Sequence, residues 1–329
     1  MSGRYEKEKA VALQAVRQAT VLCQSVQKGI EPEALSKKDR SPVTVADFGS
    51  QALVCRTIDR YFPEDPVIGE ENAAMLRKSE NGAIRQKVVA HVQEQIAEAS
   101  EEQVLGWIDR GHSRDHSDRF WTLDPIDGTK GFLRGEQYAV ALALVVAGRV
   151  DVGVLGCPNL PDPHNQSRKG VAFVAVRGEG VMTASLFEDD DGEPIQVSQI
   201  GEAAEARFCE SVESGHSSHD DSARVAAKLG IARDSIRLDS QAKYAIVASG
   251  KAEIYMRLPT RADYVEKIWD HAAGMLVVEE AGGTVTDIHG LPLDFGYGGR
   301  LEANSGVVAT NGHLHDEVLV ALRETGVAQ

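Results

Sequence analysis

Residues 120–123 (FWTL) are a short apolar segment, and the turn-rich hexapeptide DPIDGT at 124–129 follows them directly. We predict a strand that this turn ends, because a Pro-Ile-Asp-Gly turn redirects the chain. The Asp124 and Asp127 carboxylates can then face one point, where they repel each other unless a cation lies between them. Oxygen ligands of this kind suit Mg²⁺, which commonly shares a phosphate with its protein ligands. Taken alone, the hexapeptide is also compatible with an ordinary turn whose aspartates are solvated.

Other acidic residues occur at similar places along the chain. Glu70 and Glu71 follow the short apolar run 67–69. Asp47 lies at the predicted start of one helix, and Asp270 lies at the predicted start of another. Each has a structural interpretation of its own, a solvated loop for the glutamates and a helix cap for the aspartates. Taken together, they predict one shared acidic site.

The chain has 329 residues, of which 42% are hydrophobic and 26% are charged. This composition is typical of a globular protein, and the length exceeds the roughly 250–300 residues at which single cores stop growing. We therefore predict two lobes, at residues 1–160 and 161–329. The longest apolar run, 138–147, has about half of the roughly 20 residues that a membrane-spanning helix needs, so no membrane partner is expected.

The net charge is −15, from 50 acidic and 35 basic residues. Binding to a nucleic-acid polymer needs a broad basic field, which this balance excludes. A small anionic ligand would need a local cationic pocket or bound metal ions. The cysteines lack metal-binding spacing, which indicates reduced, buried thiols: Cys23, Cys55, Cys157 and Cys209. The first ten residues lack the pattern of a targeting peptide, so a cytoplasmic location is expected.

Hydrophobic periodicity predicts a helix over about the first 30 residues, a second over 47–63, and helices in the polar segment 73–102. Strand patterns separated by glycine-containing turns prevail from 120 to 185. After Ala203, helices and strands alternate. We predict an α+β first lobe with a mixed sheet and an α/β second lobe.

Three motifs carry a family resemblance that spans nearly the whole chain. GEE at 69–71, DPIDGT at 124–129 and WDHAAG at 269–274 resemble, in this order, the signature of the inositol monophosphatase superfamily of Mg²⁺-dependent phosphatases. Further stretches are similar to those of 3′(2′),5′-bisphosphate nucleotidases: SPVTVAD (41–47), DGTKGFLRGEQY (127–138), ESVESGHSSH (210–219), DSQAKY (239–244) and YMRLP (255–259). The resemblance implies a two-lobed α-β-α-β-α layered sandwich, of the inositol monophosphatase and fructose-1,6-bisphosphatase type. In it the first lobe carries most metal ligands.

The resemblance also implies an activity. It is the hydrolysis of 3′-phosphoadenosine 5′-phosphate (PAP) to AMP and phosphate by a metal-activated water, with two or three Mg²⁺ ions, sensitivity to lithium and PAPS as a related substrate. The implied metal ligands are Glu70, Asp124, the Ile126 carbonyl, Asp127 and Asp270, and Asp47 with Thr129 would activate the water. The implied substrate-binding residues are Gly128, Thr129, His216, Ser240, Lys243, Arg257 and Asp270. His219 lies in the same polar loop as His216 and is the alternative to it.

The sequence allows more than one role for several basic residues. Lys243 and Arg257 lie in segments with strand or turn character, and we predict that they bind the phosphate that is remote from the metals. Lys130 and Arg134 either steer anions or are solvated loop cations. For His271, packing or support of the metal site is favoured over general acid catalysis.

Two alternatives to the nucleotidase remain at this point. One is a phosphatase of inositol phosphates or polyphosphates, and the other is a non-enzymatic regulator that binds PAP. The second of these would be expected to have lost a metal ligand, yet all the implied ligands are present. A monomer with a small nucleotide substrate is the expected form.

Overall fold

Two β-sheets form the frame of the molecule in a computed structural model, which describes residues 3–30, 41–113, 117–190, 192–212, 218–261 and 264–328. The first sheet has the order β1-β2-β3-β4-β5-β6. Its strands are β1 (Val67–Gly69), β2 (Arg119–Asp127), β3 (Ala139–Val146), β4 (Arg149–Pro161), β5 (Lys169–Val176) and β6 (Gly180–Ser185). Strands β1 and β2 are parallel and all other neighbours are antiparallel.

The second sheet has five strands in the order β10-β11-β9-β7-β8. They are β7 (Phe208–Glu210), β8 (Ile236–Arg237), β9 (Ile254–Arg257), β10 (Thr284–Thr286) and β11 (Val307–Thr310). Strand β7 is parallel to both β8 and β9, whereas β11 is antiparallel to its neighbours. Both sheets are therefore mixed.

The helices of the described chain are α1 (Glu6–Lys28), α2 (Ser41–Tyr61), α3 (Gly82–Gln93), α4 (Glu101–Arg110), α5 (Thr129–Leu133), α6 (His219–Lys228), α7 (Ala242–Ala248), α8 (Ala272–Glu280) and α9 (His315–Glu324). Helices α1 to α4 share a core with one face of the first sheet. Helices α7 and α8 lie between the two sheets, and α6 with α9 covers the outer face of the second. The predicted α-β-α-β-α layering is confirmed.

Small residues bring α8 close to the first sheet. Strand β3 reads AVALALVV. Its residues Val140, Leu142 and Leu144 join the core with α1 and α2, while its alanines and Val145 join the core with α8. On β4, a Cβ at Gly153 would lie 3.1 Å from the carbonyl oxygen of Ala273 in α8. The start of α8, with Asp270 in the short 3₁₀ turn before it, therefore lies against the end of β2.

Three local predictions need correction. Helix α2 begins at Ser41, so Asp47 lies inside the helix and is not its cap; a proline at position 42 is tolerated in a first helical turn. Strand β2 continues to Asp127 with an irregularity after Asp124, because its pairing with β3 resumes beyond the proline. Lys243 lies on helix α7 and not in a strand or turn.

The predicted lobe boundary at residues 160 and 161 falls inside β4, before its last residue, and β4 pairs with β5 in the first sheet. The division into two lobes stays a prediction. All four cysteines are buried and free, as expected. Among the described helices, none combines the length and the apolar character needed to cross a bilayer.

Candidate active site

A cleft of about 320 Å³ opens where the end of β2, the loop before α7 and the turn before α8 meet. Its lining includes most of the predicted site residues: Glu70, Asp124, Ile126, Asp127, Gly128, Thr129, Ser240, Lys243, Arg257 and Asp270. Asp47 is buried outside this lining. His216 lies outside the described residues, and the described His219 binds the Ser211 carbonyl at 3.1 Å.

The DPID segment is fixed by short-range contacts at the end of β2. The Asp124 Oδ1 atom accepts a hydrogen bond from the Ile126 backbone N–H at 3.1 Å. From helix α2, the Ser50 hydroxyl donates to the Pro125 carbonyl at 2.9 Å. Asp124 is only 2% exposed, and its burial together with the charges of Glu70 and Asp127 raises the pKa of its carboxyl well above the usual range.

Glu70 reaches the cleft because β1 and β2 are parallel and end at the same edge of the sheet. Gln51 fixes the next residue: its Nε2 donates to the Glu71 carbonyl at 2.6 Å, and its Oε1 accepts from the Glu71 N–H at 3.1 Å. Only glycine fits at position 69, since a Cβ there would lie 2.7 Å from the Gln51 Oε1. The enclosing protein and the charges of Asp270 and Glu71 raise the pKa of Glu70 to about 8.

Asp47 contributes a carboxylate from inside helix α2. It is 7% exposed, and its Oδ1 atom accepts no hydrogen bond within the described chain. Burial and the charges of Glu71 and Glu70 raise the pKa of this carboxyl. A buried carboxylate oxygen without a donor is costly unless a water or a cation lies against it. Asp47 therefore fits a site that holds a metal ion or its water.

Gln241 links three parts of the cleft, and it was not among the predicted site residues although it lies within the DSQAKY stretch. Its backbone N–H donates to the Asp127 Oδ2 at 2.6 Å. Its side-chain amide donates to the Trp269 carbonyl at 2.9 Å and accepts from the Gly274 N–H at 3.2 Å. One residue thus ties the end of β2 to the Asp270 turn and to the first turn of α8. Its position in the sequence, between the predicted substrate-binding residues Ser240 and Lys243, could have identified it as a site residue.

Next to the carboxylates, part of the cleft is cationic. The Lys243 ammonium donates to the Ser240 carbonyl at 2.7 Å and lies 5.3 Å from the centre of the Tyr255 ring. Lys243 is 4% exposed, and burial lowers the pKa of its amine. The backbone here is tight, since Ser240 has a φ of 70° and a Cβ at Gly128 would lie 2.8 Å from the Ser240 Cβ.

Arg257, at the end of β9, has acidic neighbours. Its Nη2 lies 3.2 Å from the Asp270 Oδ2 and 3.3 Å from the Tyr264 hydroxyl. Its Nε forms an ion pair with the Glu266 Oε2 at 2.9 Å. The pKa of Asp270 is nevertheless raised, because burial outweighs the attraction of Arg257. Glu266 and Tyr264 were not found from the sequence, which offers no pattern that marks them.

The residues around α5 differ in their surroundings. Thr129 is the first residue of α5 and is exposed in the cleft. Lys130 lines the cleft as well. Arg134 is bound to the carboxylates of Glu136 and Asp239, so it joins the α5 loop to the loop before α7 instead of being a solvated cation.

The carboxylates of the cleft could bind a metal ion. The side chains of Glu70, Asp124, Asp127 and Asp270 all line one volume and offer only oxygen, the donor set that hard cations such as Mg²⁺ prefer. Burial, together with the charges of neighbouring carboxylates, raises the pKa of Glu70, Asp124 and Asp270, and a cation would relieve the repulsion. Asp270 also lies in a group with Glu266 and His271, whose ligand atoms are within 4.8 Å of one another. Arg257 already neutralises that second group.

The chain belongs to the inositol monophosphatase family, whose model matches residues 5–327. It is 45% identical to a 3′(2′),5′-bisphosphate nucleotidase of Emericella nidulans, with 97% of this chain and 98% of the relative covered. It is 44% identical to a protein of the same name from Schizosaccharomyces pombe, with 96% and 95% covered. The fold is that of the inositol monophosphatase from Anabaena, at a TM-score of 0.63 and 22% identity over 98% of this chain and 97% of that one. The predicted family and fold are confirmed.

Proposed function

We propose that the protein is a Mg²⁺-dependent 3′(2′),5′-bisphosphate nucleotidase that hydrolyses PAP to AMP and phosphate. One observation carries the proposal: a single cleft contains a carboxylate cluster and, next to it, two largely buried cations, Lys243 and Arg257. A substrate with two phosphates matches this division, since one phosphate can lie with the metal ions and the other needs cationic donors. The names of the relatives point to the same substrate class.

The metal ligands in this proposal are Glu70, Asp124, the Ile126 carbonyl, Asp127 and Asp270. When bound, two or three Mg²⁺ ions would neutralise the phosphate and lower the pKa of a coordinated water. Phosphoryl transfer needs mostly such charge neutralisation and alignment, so no covalent nucleophile of the protein is required.

Asp47 and Thr129 handle the proton of the attacking water. Asp47 has an unpartnered carboxylate oxygen and a raised pKa, both of which suit a group that accepts a proton. The Thr129 hydroxyl can donate and accept at once, so it can orient the water between the cluster and the substrate. Gly128 leaves room for the phosphate beside the start of α5.

Ser240, Lys243 and Arg257 hold the 5′-phosphate, and His216 is part of the same proposal. The planar guanidinium of Arg257 suits bidentate contact with a phosphate, whereas the Lys243 ammonium acts as a point charge. PAPS carries its sulfate on this phosphate and is included as a related substrate. The proposal further takes the enzyme to be a cytoplasmic monomer.

The decisive experiment compares phosphate release from PAP and from inositol 1-phosphate, with and without Mg²⁺. Fast release from PAP that disappears with EDTA and returns with Mg²⁺ supports the proposal. Release mainly from inositol 1-phosphate would instead assign the chain to the inositol phosphatases. Binding of PAP without any turnover would assign it to the non-enzymatic regulators.

A further inference from the structure

Glu266 lies beneath the cationic part of the cleft, outside every motif that the resemblance uses. Its side chain is 4% exposed, and a single oxygen, Oε2, contacts two partners. The Arg257 Nε lies at 2.9 Å and the His271 Nε2 at 3.1 Å. The His271 contact is a hydrogen bond, whereas the Arg257 Nε has no hydrogen-bond partner among the described residues and interacts with Glu266 as an ion pair. A buried carboxylate is stabilised as an anion by such contacts. Despite its burial, the hydrogen bond from His271 and the charge of Arg257 lower the pKa of Glu266.

His271 holds Glu266 in place from the side away from the cleft. The imidazole is fully buried, and its Nδ1 lies 2.7 Å from the Tyr244 hydroxyl. Because a carboxylate only accepts, the Nε2 carries the hydrogen in the contact with Glu266. Tyr244 is itself packed on α8, where a Cβ at Gly274 would lie 2.3 Å from its ring. The contacts thus run from the rigid α7–α8 layer to the Glu266 carboxylate.

Glu266 in turn contacts Arg257, which lines the cleft. Glu266 pairs with its Nε, while its Nη2 contacts Asp270 and Tyr264. Within the described chain, Asp270 is the other carboxylate that pairs with Arg257. Without the Glu266 charge, the guanidinium would shift toward Asp270 and away from the orientation that a phosphate needs. A long arginine side chain also loses less entropy on binding when it is already fixed.

We propose that Glu266 is a positioning residue that orients Arg257 for the 5′-phosphate and thereby sets the selectivity of the cleft for nucleotides that carry one. This inference rests on the proposed function, because it takes Arg257 to bind that phosphate. Glu266 touches neither the substrate nor the reacting atoms in this scheme. Replacing Glu266 is therefore expected to change the preference between substrates with and without a 5′-phosphate, and not the hydrolysis step that they share.

The test compares PAP with adenosine 3′-phosphate, which has the same scissile group and no 5′-phosphate. The measured quantity is the ratio of their kcat/KM values in the wild-type and Glu266→Gln enzymes. We expect Glu266→Gln to lower this ratio at least about tenfold, the size of one lost charge-assisted contact. In an Arg257→Met background, Glu266→Gln is expected to change the ratio less than twofold, because the guanidinium that Glu266 orients is absent. An equal loss with both substrates overturns the proposal.

Glu253 offers a matched control at the other end of the same strand. It is 2% exposed, and its carboxylate accepts a hydrogen bond from the Arg207 N–H at 2.7 Å, outside the cleft. Glu253→Gln removes a buried charge in the same way and is expected to keep the wild-type ratio. Should Glu266→Gln fail to fold, Glu266→Asp retracts the carboxylate by about one C–C bond and is expected to lower the ratio about threefold. An unchanged ratio in that variant also overturns the proposal.

A binding measurement separates this inference from the proposed function. Calorimetric titration of AMP into the metal-free protein reports the 5′-phosphate contact without any hydrolysis. Glu266→Gln is expected to weaken AMP binding at least about tenfold, and equal binding contradicts the role of Glu266. If the wild type binds AMP but releases no phosphate from PAP, the proposed activity is wrong, and AMP binding by Glu266→Gln still tests the role of Glu266. If the wild type does not bind AMP, both fail.

Discussion

The Arg257 Nη2 lies 3.2 Å from the Asp270 Oδ2, so a cation proposed for the substrate contacts an acid proposed for the metal. The acidic and cationic parts of the cleft are therefore not independent. Asp270 is held by a positive charge of the protein, and a metal ion must share its carboxylate with that charge. Because Arg257 and Mg²⁺ repel each other, the arginine is expected to weaken metal binding while it strengthens nucleotide binding.

Replacing Arg257 should weaken the binding of the nucleotide and strengthen the binding of Mg²⁺. For Arg257→Met we expect the KM for PAP to rise at least about tenfold, from the loss of a charge-assisted contact. We expect the Mg²⁺ concentration for half-maximal activity, measured at saturating PAP, to fall about threefold as the competing charge is removed. Calorimetric titration of Mg²⁺ checks the second effect without substrate. Weaker Mg²⁺ binding in the variant would show that Arg257 supports the metal site instead of competing with it.

Asp124 should be essential for turnover but not for folding. Asp124→Asn removes a proposed metal ligand, so we expect kcat to fall by at least about 10³-fold. Its buried charge is repelled by Glu70 and Asp127, and the neutral amide should therefore leave the midpoint of thermal unfolding of the metal-free protein unchanged or raised. An Asp124→Asn enzyme that stays active and Mg²⁺-dependent would remove Asp124 from the metal ligands.

Asp287 is the matched control for that variant. It is 1% exposed, and its Oδ1 accepts from the N–H groups of His289 and Leu291, both at 2.9 Å. Asp287→Asn is expected to lower the unfolding midpoint, because it weakens satisfied hydrogen bonds to an anion, and to keep the wild-type kcat. The two substitutions should thus give opposite patterns of activity and stability.

The sequence predicted those parts of the molecule that local pattern controls. The acidic residues after short apolar runs predicted the carboxylates of the cleft, whereas the layers were predicted from the family resemblance. The start of α2 was missed because Asp47 looks like a cap, while the helix begins six residues earlier through a proline. The continuation of β2 past Asp124 was missed because a Pro-Ile-Asp-Gly sequence normally ends a strand.

Polar residues whose partners are distant in sequence could not be predicted in the same way. Gln241 binds Asp127 from 114 residues away, and only the packing of α7 against the first sheet brings them together. The sequence does not distinguish Glu266 from a surface glutamate, and its burial follows from the position of Arg257 on β9. Contacts of this kind are a property of the assembled layers and leave no periodicity in the sequence.

Two glycines with similar backbone angles should respond differently to alanine. Gly128 has a φ of +88° and Gly135 a φ of +72°. A Cβ at Gly128 would lie 2.8 Å from the Ser240 Cβ, whereas a Cβ at Gly135 would meet nothing within 4 Å. We expect Gly135→Ala to cost about 1 kcal/mol from backbone strain alone and Gly128→Ala about 3 kcal/mol from strain plus the clash. Urea unfolding measures both, and similar losses would show that the two loops adjust freely.

The metal-free protein should become less stable as the pH rises. The pKa of Glu70 is raised from 4.5 to about 8, so the folded state holds this proton more tightly than the unfolded chain does. Between pH 4.5 and 8 the unfolded state therefore binds fewer protons, and the free energy of unfolding falls as the pH increases. Asp124, Asp270 and Asp47 have raised pKa values as well and act in the same direction. Urea unfolding in EDTA at pH 5 and pH 8 measures the fall, and Glu70→Gln should reduce it.

Adding Mg²⁺ should remove most of this pH dependence at the alkaline end. A cation between the carboxylates stabilises their ionised forms in the folded state, which returns their pKa values toward or below the ordinary range. Stability at pH 8 should then rise with the Mg²⁺ concentration, whereas at pH 5 the protonated cluster should respond less. Ca²⁺, a hard cation of larger radius, is a useful comparison because it neutralises the same charges at longer ligand distances. A metal-free protein whose stability is the same at pH 5 and pH 8 would contradict the crowding of carboxylates on which the metal assignment depends.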